Sequence, residues 1–166
     1  MENKDVYFMQ EALKEAVKAR KKGEIPVGAI IVKDNNIIAR GHNLKETKNS
    51  ALEHAEIITI NKANEKLKSW RLLDCTMYVT LEPCCMCAGA LVNSRINRLV
   101  IATEDDKTGA FGSKIDINNI GLNHKIEVTK GICKVESSNL IKEFFKGLRD
   151  EKKKQKQCDK GKNINI

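Results

Sequence analysis

The stretch TLEPCCMCAGA, Thr80 to Ala90, leaves the backbone few choices. The β-rich run CTMYVTLEP leads into Pro83, which cannot donate to a sheet ladder and whose fixed φ suits the first position of a helix. A strand must stop here and a helix begin, with Pro83 expected as its first residue. Cys84 and Cys87 then share one face of the opening turn. Cys85 is rotated about 100° from Cys84 at 3.6 residues per turn and cannot easily reach the same point. A helix N-terminus also favours thiolate over thiol, and thiolate is the form that binds metal. The working pair is therefore Cys84 and Cys87. Cys85 is expected to be a small buried hydrophobe.

A lone C-x-x-C could equally be a redox dithiol or half of a zinc ribbon. No second C-x-x-C exists to complete a ribbon. The segment EHAEI sharpens the choice, because His54 and Glu56 open a different helix. Taken singly, His54 reads more often as a surface or packed histidine. Together, His54, Cys84 and Cys87 make three zinc ligands, and Glu56 adds a carboxylate. Three protein ligands leave a tetrahedral zinc one open position, the arrangement of a catalytic site. Zinc brings the pKa of water to about 7, and such a site needs a proton shuttle, for which Glu56 is placed. Helix periodicity sets residues two apart on opposite sides. His54 and Glu56 can converge only at the very start of their helix. The pattern H-x-E…P-C-x-x-C is identified as the signature of zinc nucleobase deaminases, a step of recognition rather than deduction.

Along the chain, apolar residues from Val6 to Val17 recur at three- and four-residue spacing, predicting a helix from Val6 to Arg20 that ends near Gly23. VGAIIVK and NIIARGHN read as a hairpin around Asp34-Asn35. AEIITINKANEKLKS is helical, INRLVIAT a strand, EDDKTGAFGSK a polar loop and HKIEVTKGI a last strand. The final helix has Ser137 or Ser138 as its expected cap. Alternating strands and helices predict an α/β fold with a mixed sheet, antiparallel in the hairpin and parallel thereafter.

At 166 residues, with 41% hydrophobic and 31% charged, one domain with a sizeable core is expected. It is placed at residues 1–158, with 159–166 a polar tail expected to fray. Six cysteines could form three disulfides, but a chain with a real core does not need them. No apolar run approaches the ~20 residues of a membrane span, and the charged N-terminus does not read as a signal peptide. A cytoplasmic protein is expected. The net charge of +8 and pI near 9.2 fit a polyanionic partner, and equally fit lysine-rich compositional drift.

Beyond the signature, the chain resembles the TadA family of bacterial tRNA-specific adenosine deaminases, from about Tyr7 to Lys156. PVGAIIV, GHN, HAE, TLEPCCMCAGAL, SRI, DDKTGAFGS and FFK fall in family order. The resemblance implies a three-layer α/β/α sandwich with a mixed five-stranded sheet, cytidine deaminase-like. It implies a hydrolase that converts adenosine to inosine at the wobble position of tRNA anticodons. It also implies one zinc per chain on His54, Cys84 and Cys87, with Glu56 moving protons. Asn43 would hydrogen-bond the flipped nucleoside, and Asp105 and Lys107 would lie in a loop that meets the anticodon stem-loop. Phe145, Lys146 and Arg149 would belong to a helix receiving flanking nucleotides. A homodimer is implied too.

Plainer readings stand beside these. FF in a helix is more often core than a stacking platform, Lys152 to Lys156 can be a solvated face, and Asp105 a turn residue. Two rival functions share the motifs: a zinc deaminase of a free nucleobase or nucleoside, and a non-catalytic RNA-binding subunit with structural zinc. The second would need a fourth protein ligand, such as Cys75 or His42, and leaves Glu56 idle.

Overall fold

A computed structural model describes residues 2–162. The amphipathic N-terminal segment forms α1 (Glu2–Lys21), longer at both ends than the periodicity predicts. The hairpin follows as β1 (Gly28–Lys33) and β2 (Asn36–His42). Its two-residue turn puts Asp34 at φ 50° and Asn35 at φ 59°, the left-handed pair that matches the twist of the flanking strands. Then come α2 (Ala55–Leu67), β3 (Cys75–Leu81), α3 (Cys85–Asn93) and β4 (Arg98–Thr103). A short 3₁₀ turn at Ile117–Asn119 precedes β5 (Glu127–Lys130) and α4 (Lys134–Lys162).

The sheet has five strands in the order β2-β1-β3-β4-β5. β1 pairs antiparallel with β2 and β3, while β3–β4 and β4–β5 are parallel, so the expected mixed α/β sandwich is what the chain adopts. Strand periodicity splits the core in two. Ala29, Ile31, Met77, Val79, Leu99 and Ile101 face α2 and α3. Ile30, Val32, Tyr78, Val100 and Ala102 face α1 and, through Ile132 and Cys133, the start of α4. Both faces are apolar because both are covered, as parallel strands require. Gly28 permits the close approach of α1: a Cβ there would collide with the backbone of Ala12 and Ala16.

Two helix starts differ from expectation. Pro83 lies outside α3, and Cys84 is the N-cap with extended dihedrals (φ −71°, ψ 173°). α4 begins at Lys134 after Cys133 at φ 56°, so neither Ser137 nor Ser138 caps it. Ser137 is instead buried inside the first turns, its hydroxyl donating to the Thr80 carbonyl and tying α4 to β3. The helix runs on through residues 159–162, the first half of the expected tail; residues 163–166 of that tail lie outside the described residues. Among the described residues no helix is long and apolar enough to cross a membrane.

Candidate metal centre and active site

The candidate site lies where the C-terminal end of β3 meets the N-termini of α2 and α3. Local chain geometry supplies its parts. His54 is the N-cap of α2, at φ −81° and ψ 151°, and its imidazole makes no capping bond. The first N–H of that helix, from Ala55, is satisfied instead by the side-chain oxygen of Asn43 at 2.9 Å, so His54 is free to turn outward. Cys84 caps α3 in the same way, again without a side-chain capping bond, and Cys87 sits buried in the first turn. Both helix starts are thus open toward one point. Glu56, the second residue of α2, converges on it as the start-of-helix geometry required.

The donor atoms fit a metal. Nδ1 of His54 is 3.8 Å from Sγ of Cys84 and 3.6 Å from Sγ of Cys87, and all three lie within 4.8 Å of one another. A tetrahedral zinc with Zn–S near 2.3 Å and Zn–N near 2.0–2.1 Å sets N···S separations of about 3.6 Å. Charge points the same way. Cys84 is pulled down to about 4 by hydrogen bonds from Cys87 and His54, so it ionises first. Cys87 is driven up by that neighbouring sulfur and by burial. Burial pushes the Glu56 carboxyl up to about 7, and Cys84 holds the His54 imidazole above its usual range. Three acidic groups face one imidazole. A divalent cation is the counter-charge that lets both sulfurs be thiolates at once.

Cys85 corrects the sequence reading: it is exposed, not buried. As the first helical residue of α3 it points away from the ligand face into solvent.

A cavity of about 490 Å³ opens over the site. Its lining includes Asn43, His54, Glu56, Cys84, Asp105, Thr108 and, from α4, Phe144, Phe145, Leu148 and Lys152. Of the residues expected to meet substrate, Asn43, Asp105 and Phe145 reach this wall. Lys107, Lys146 and Arg149 do not line it. On α4 the reason is phase. Phe145, Leu148 and Lys152 recur on one side, whereas Lys146 is turned about 100° from Phe145. Asn43 spends its oxygen on α2, and its NH₂ makes no hydrogen bond among the described residues. Asp105 caps its own turn, accepting from the Lys107 N–H at 2.9 Å and the Thr108 hydroxyl at 2.6 Å. Phe144 is half-buried and Phe145 38% exposed, their rings edge-on at 5.5 Å; the outer ring is the one open to a ligand.

Two cavity residues escaped the sequence reading. Glu24 and Glu82 are each 2% exposed. Glu24 accepts from the N–H groups of Glu46 (3.2 Å) and Thr47 (2.6 Å) and from the Thr47 hydroxyl (2.7 Å). Glu82 accepts from the N–H groups of Asp105 (3.1 Å), Phe111 (2.9 Å) and Ser113 (3.2 Å), and from the Ser113 hydroxyl. Each carboxylate pins one loop at the cavity mouth. Burial alone would raise both carboxyls, but these donors outweigh it and hold both below the usual range. Gly109 is needed beside Glu82, since a Cβ there would collide with the carboxylate. The signal available in sequence was slight: a glutamate one or two residues before a proline, in LEP and GEIP.

Comparison with known proteins identifies the family. Residues 2–149 match the family described as MafB19-like deaminase. The chain is 46% identical over 148 residues to the tRNA-specific adenosine deaminase of Streptococcus pyogenes serotype M1, covering 89% of this chain and 86% of that one. It is 45% identical over 150 residues to the tRNA-specific adenosine deaminase of Bacillus subtilis (strain 168), covering 90% and 93%. A solved structure from work on A-to-I editing by tRNA:A34 deaminases at the wobble position of transfer RNA superposes with a TM-score of 0.78 at 39% identity, covering 81% of this chain and 98% of that one. With its own H-x-E and P-C-x-x-C elements folded onto one cavity, the chain belongs to the MafB19-like deaminase family and, within it, to the kind represented by the bacterial tRNA-specific adenosine deaminases.

Proposed function

We propose that this protein is a zinc-dependent hydrolase that deaminates adenosine to inosine at the wobble position of tRNA anticodons. The observation that carries this reading is the convergence of His54, Cys84 and Cys87 beside the buried Glu56 at one cavity. The relatives named above supply the substrate class. Zinc, held one per chain by His54, Cys84 and Cys87, supplies a Lewis acid that makes water nucleophilic near neutral pH.

The remaining steps belong to the chain. Glu56, poised near 7, takes a proton from the attacking water and delivers it to the purine ring nitrogen. It then carries the second proton to the departing amine, so adenosine and water become inosine and ammonia. The NH₂ of Asn43 donates to the flipped nucleoside. Phe145 offers its ring to a neighbouring base, an interaction worth roughly 1–3 kcal/mol. Asp105 and Lys107 belong to the loop at the anticodon, and Lys146 and Arg149 to the helix beside it. The reading includes a single deaminase domain over residues 1–158, a homodimer, and action in the cytoplasm.

The test is direct. Purified protein incubated with total tRNA is expected to produce inosine, measured by nucleoside mass spectrometry. An anticodon stem-loop with adenosine at the wobble position is expected to be a far better substrate than free adenosine. If free adenosine matches the stem-loop in kcat/KM, the RNA half of the reading fails. Turnover of free guanine or cytosine in place of either would move the protein to the free-base deaminases.

A further inference from the structure

Glu82 stands between the two halves of the site. It directly follows β3 and comes two residues before Cys84. The loop from residue 104 to residue 113 hangs on this short segment. The Glu82 N–H donates to the Thr103 carbonyl and the Ala110 N–H to the Pro83 carbonyl, each at 2.9 Å, and Cys84 forms a β-bridge with Gly109. Within that frame the two carboxylate oxygens hold different ends of the loop. Oε1 accepts from the N–H groups of Phe111 and Ser113 at the far end. Oε2 accepts from the Ser113 hydroxyl and, at the near end, from the Asp105 N–H at 3.1 Å. Asp105 and Thr108 are the residues of this loop that line the cavity. Glu82 is buried, so bulk water does not replace a bond lost here.

We propose that Glu82 is a positioning residue for the deamination of RNA: through the Asp105 N–H it sets where the wall formed by Asp105 and Thr108 stands relative to the metal centre. The inference rests on the RNA reading above. Cys84 follows β3, whereas the wall follows β4, and the Glu82 carboxylate joins the two. The wall is thereby held where a nucleotide beside the flipped adenosine meets it. A carboxylate suits the task, because it accepts at both oxygens and four donors of one loop converge on it. Placement of this kind carries weight in catalysis, since a shift of ~1 Å can cost about 100-fold in rate.

The test variant is Glu82→Gln in the full-length protein. Its NH₂ fits best at the Oε2 position, where the Ser113 hydroxyl can turn to accept, and there it leaves the Asp105 N–H without an acceptor. Ser113→Ala is the comparison, since it removes a bond to the same oxygen and leaves the Asp105 tie in place. In zinc-loaded, RNA-free Glu82→Gln, the Asp105 amide is expected to exchange its hydrogen roughly tenfold faster or more, read by NMR. The KM for a stem-loop with adenosine at the wobble position should rise roughly 10- to 100-fold, the range set by one bond to a charged acceptor. Zinc content and the single-turnover rate at saturating RNA should stay close to those of the unaltered protein, the pattern of lost uniform binding. Ser113→Ala should keep the normal KM. A normal KM in Glu82→Gln, an equal rise in Ser113→Ala, or a loss that only tracks zinc content or folded fraction would each overturn the proposal. Should Glu82→Gln not fold, Gly109→Ala reaches the same joint from the loop side, because its Cβ would collide with the carboxylate. The same rise in KM is expected there, and a normal KM is equally fatal. If the unaltered protein does not deaminate the stem-loop at all, the RNA reading fails first and the proposal with it, a result distinguishable from a normal KM in the variants.

Discussion

Two clusters of buried charge sit at opposite ends of β3, and they are built on opposite terms. At its N-terminal end, Arg98 grips Asp5 with two bonds of 2.9 and 2.8 Å, and the Tyr78 hydroxyl donates to the same carboxylate at 2.8 Å. Every charge there meets its opposite within the chain. Asp5 is held below the usual carboxylate range by Arg98 first and Tyr78 after it, against the cost of burial. At the C-terminal end, Cys84, Cys87 and Glu56 face one imidazole, and burial pushes Glu56 up to about 7. A cluster that neutralises itself ties α1 to the sheet. A cluster left with excess acid is built for a cation and for a proton in transit. Burial alone would not tell the two apart; the sign of the carboxyl shift does, down at Asp5 and up at Glu56.

The largest expected difference is in metal. Cys84→Ala and Cys87→Ala should each strip the zinc and abolish deamination, whereas Cys85→Ala should retain both; metal analysis beside an inosine assay checks this. Zinc loss in the Cys85 variant, with Cys84 dispensable, would break the assignment. Next in size, Glu56→Gln should keep fold and zinc while turnover falls by ~100- to 10,000-fold or more, read in single-turnover experiments.

The two carboxyls, Glu56 and Asp5, should also respond to pH with opposite sign. In chelator-treated protein Glu56 ionises near 7 when folded but near 4.5 when unfolded. Its share of stability is therefore present below pH 4.5 and lost as pH rises to 7, by about 3 kcal/mol, and Glu56→Gln should remove that slope. Asp5 runs the other way, because its folded pKa is depressed: its contribution is present above the unfolded value of 3.8 and lost as pH falls through the folded one. Denaturant titrations across pH, each read as the difference from the Glu56→Gln or Asp5→Ala variant so that the opposing shift of Cys84 cancels, would expose both arms, and differences of one sign would sink the contrast. Smallest, Asp5→Ala should cost roughly 2 kcal/mol, below the 3–5 of a fully buried pair because Arg98 is partly exposed. Activity per folded molecule should be untouched.

Much of the site is legible in the amino-acid order alone. The candidate ligands His54, Cys84 and Cys87 and the position of Glu56 are legible from spacing, from where helices start and from a known signature, and the three donor groups do converge. The hairpin follows from Asp34-Asn35, and the two-sided core from strand alternation. These signals act over about four residues, so the sequence carries them by itself. Local rules also misplace detail: Pro83 stands outside α3, Cys85 is exposed, and Ser137 bonds to Thr80 rather than capping a helix.

Tertiary structure alone decided the rest. That Asn43 satisfies Ala55, and so frees His54, joins residues on different elements. That Glu24 and Glu82 pin the two loops of the cavity mouth depends on segments 22 to 31 residues apart. That Phe145 and Lys152 line the cavity while Lys146 does not depends on the angle at which α4 is fixed against the sheet. The sequence states which groups can do chemistry, because bonding preferences and helix phase are local. Which of them meet is set by packing between elements distant along the chain, and no short window of residues contains it.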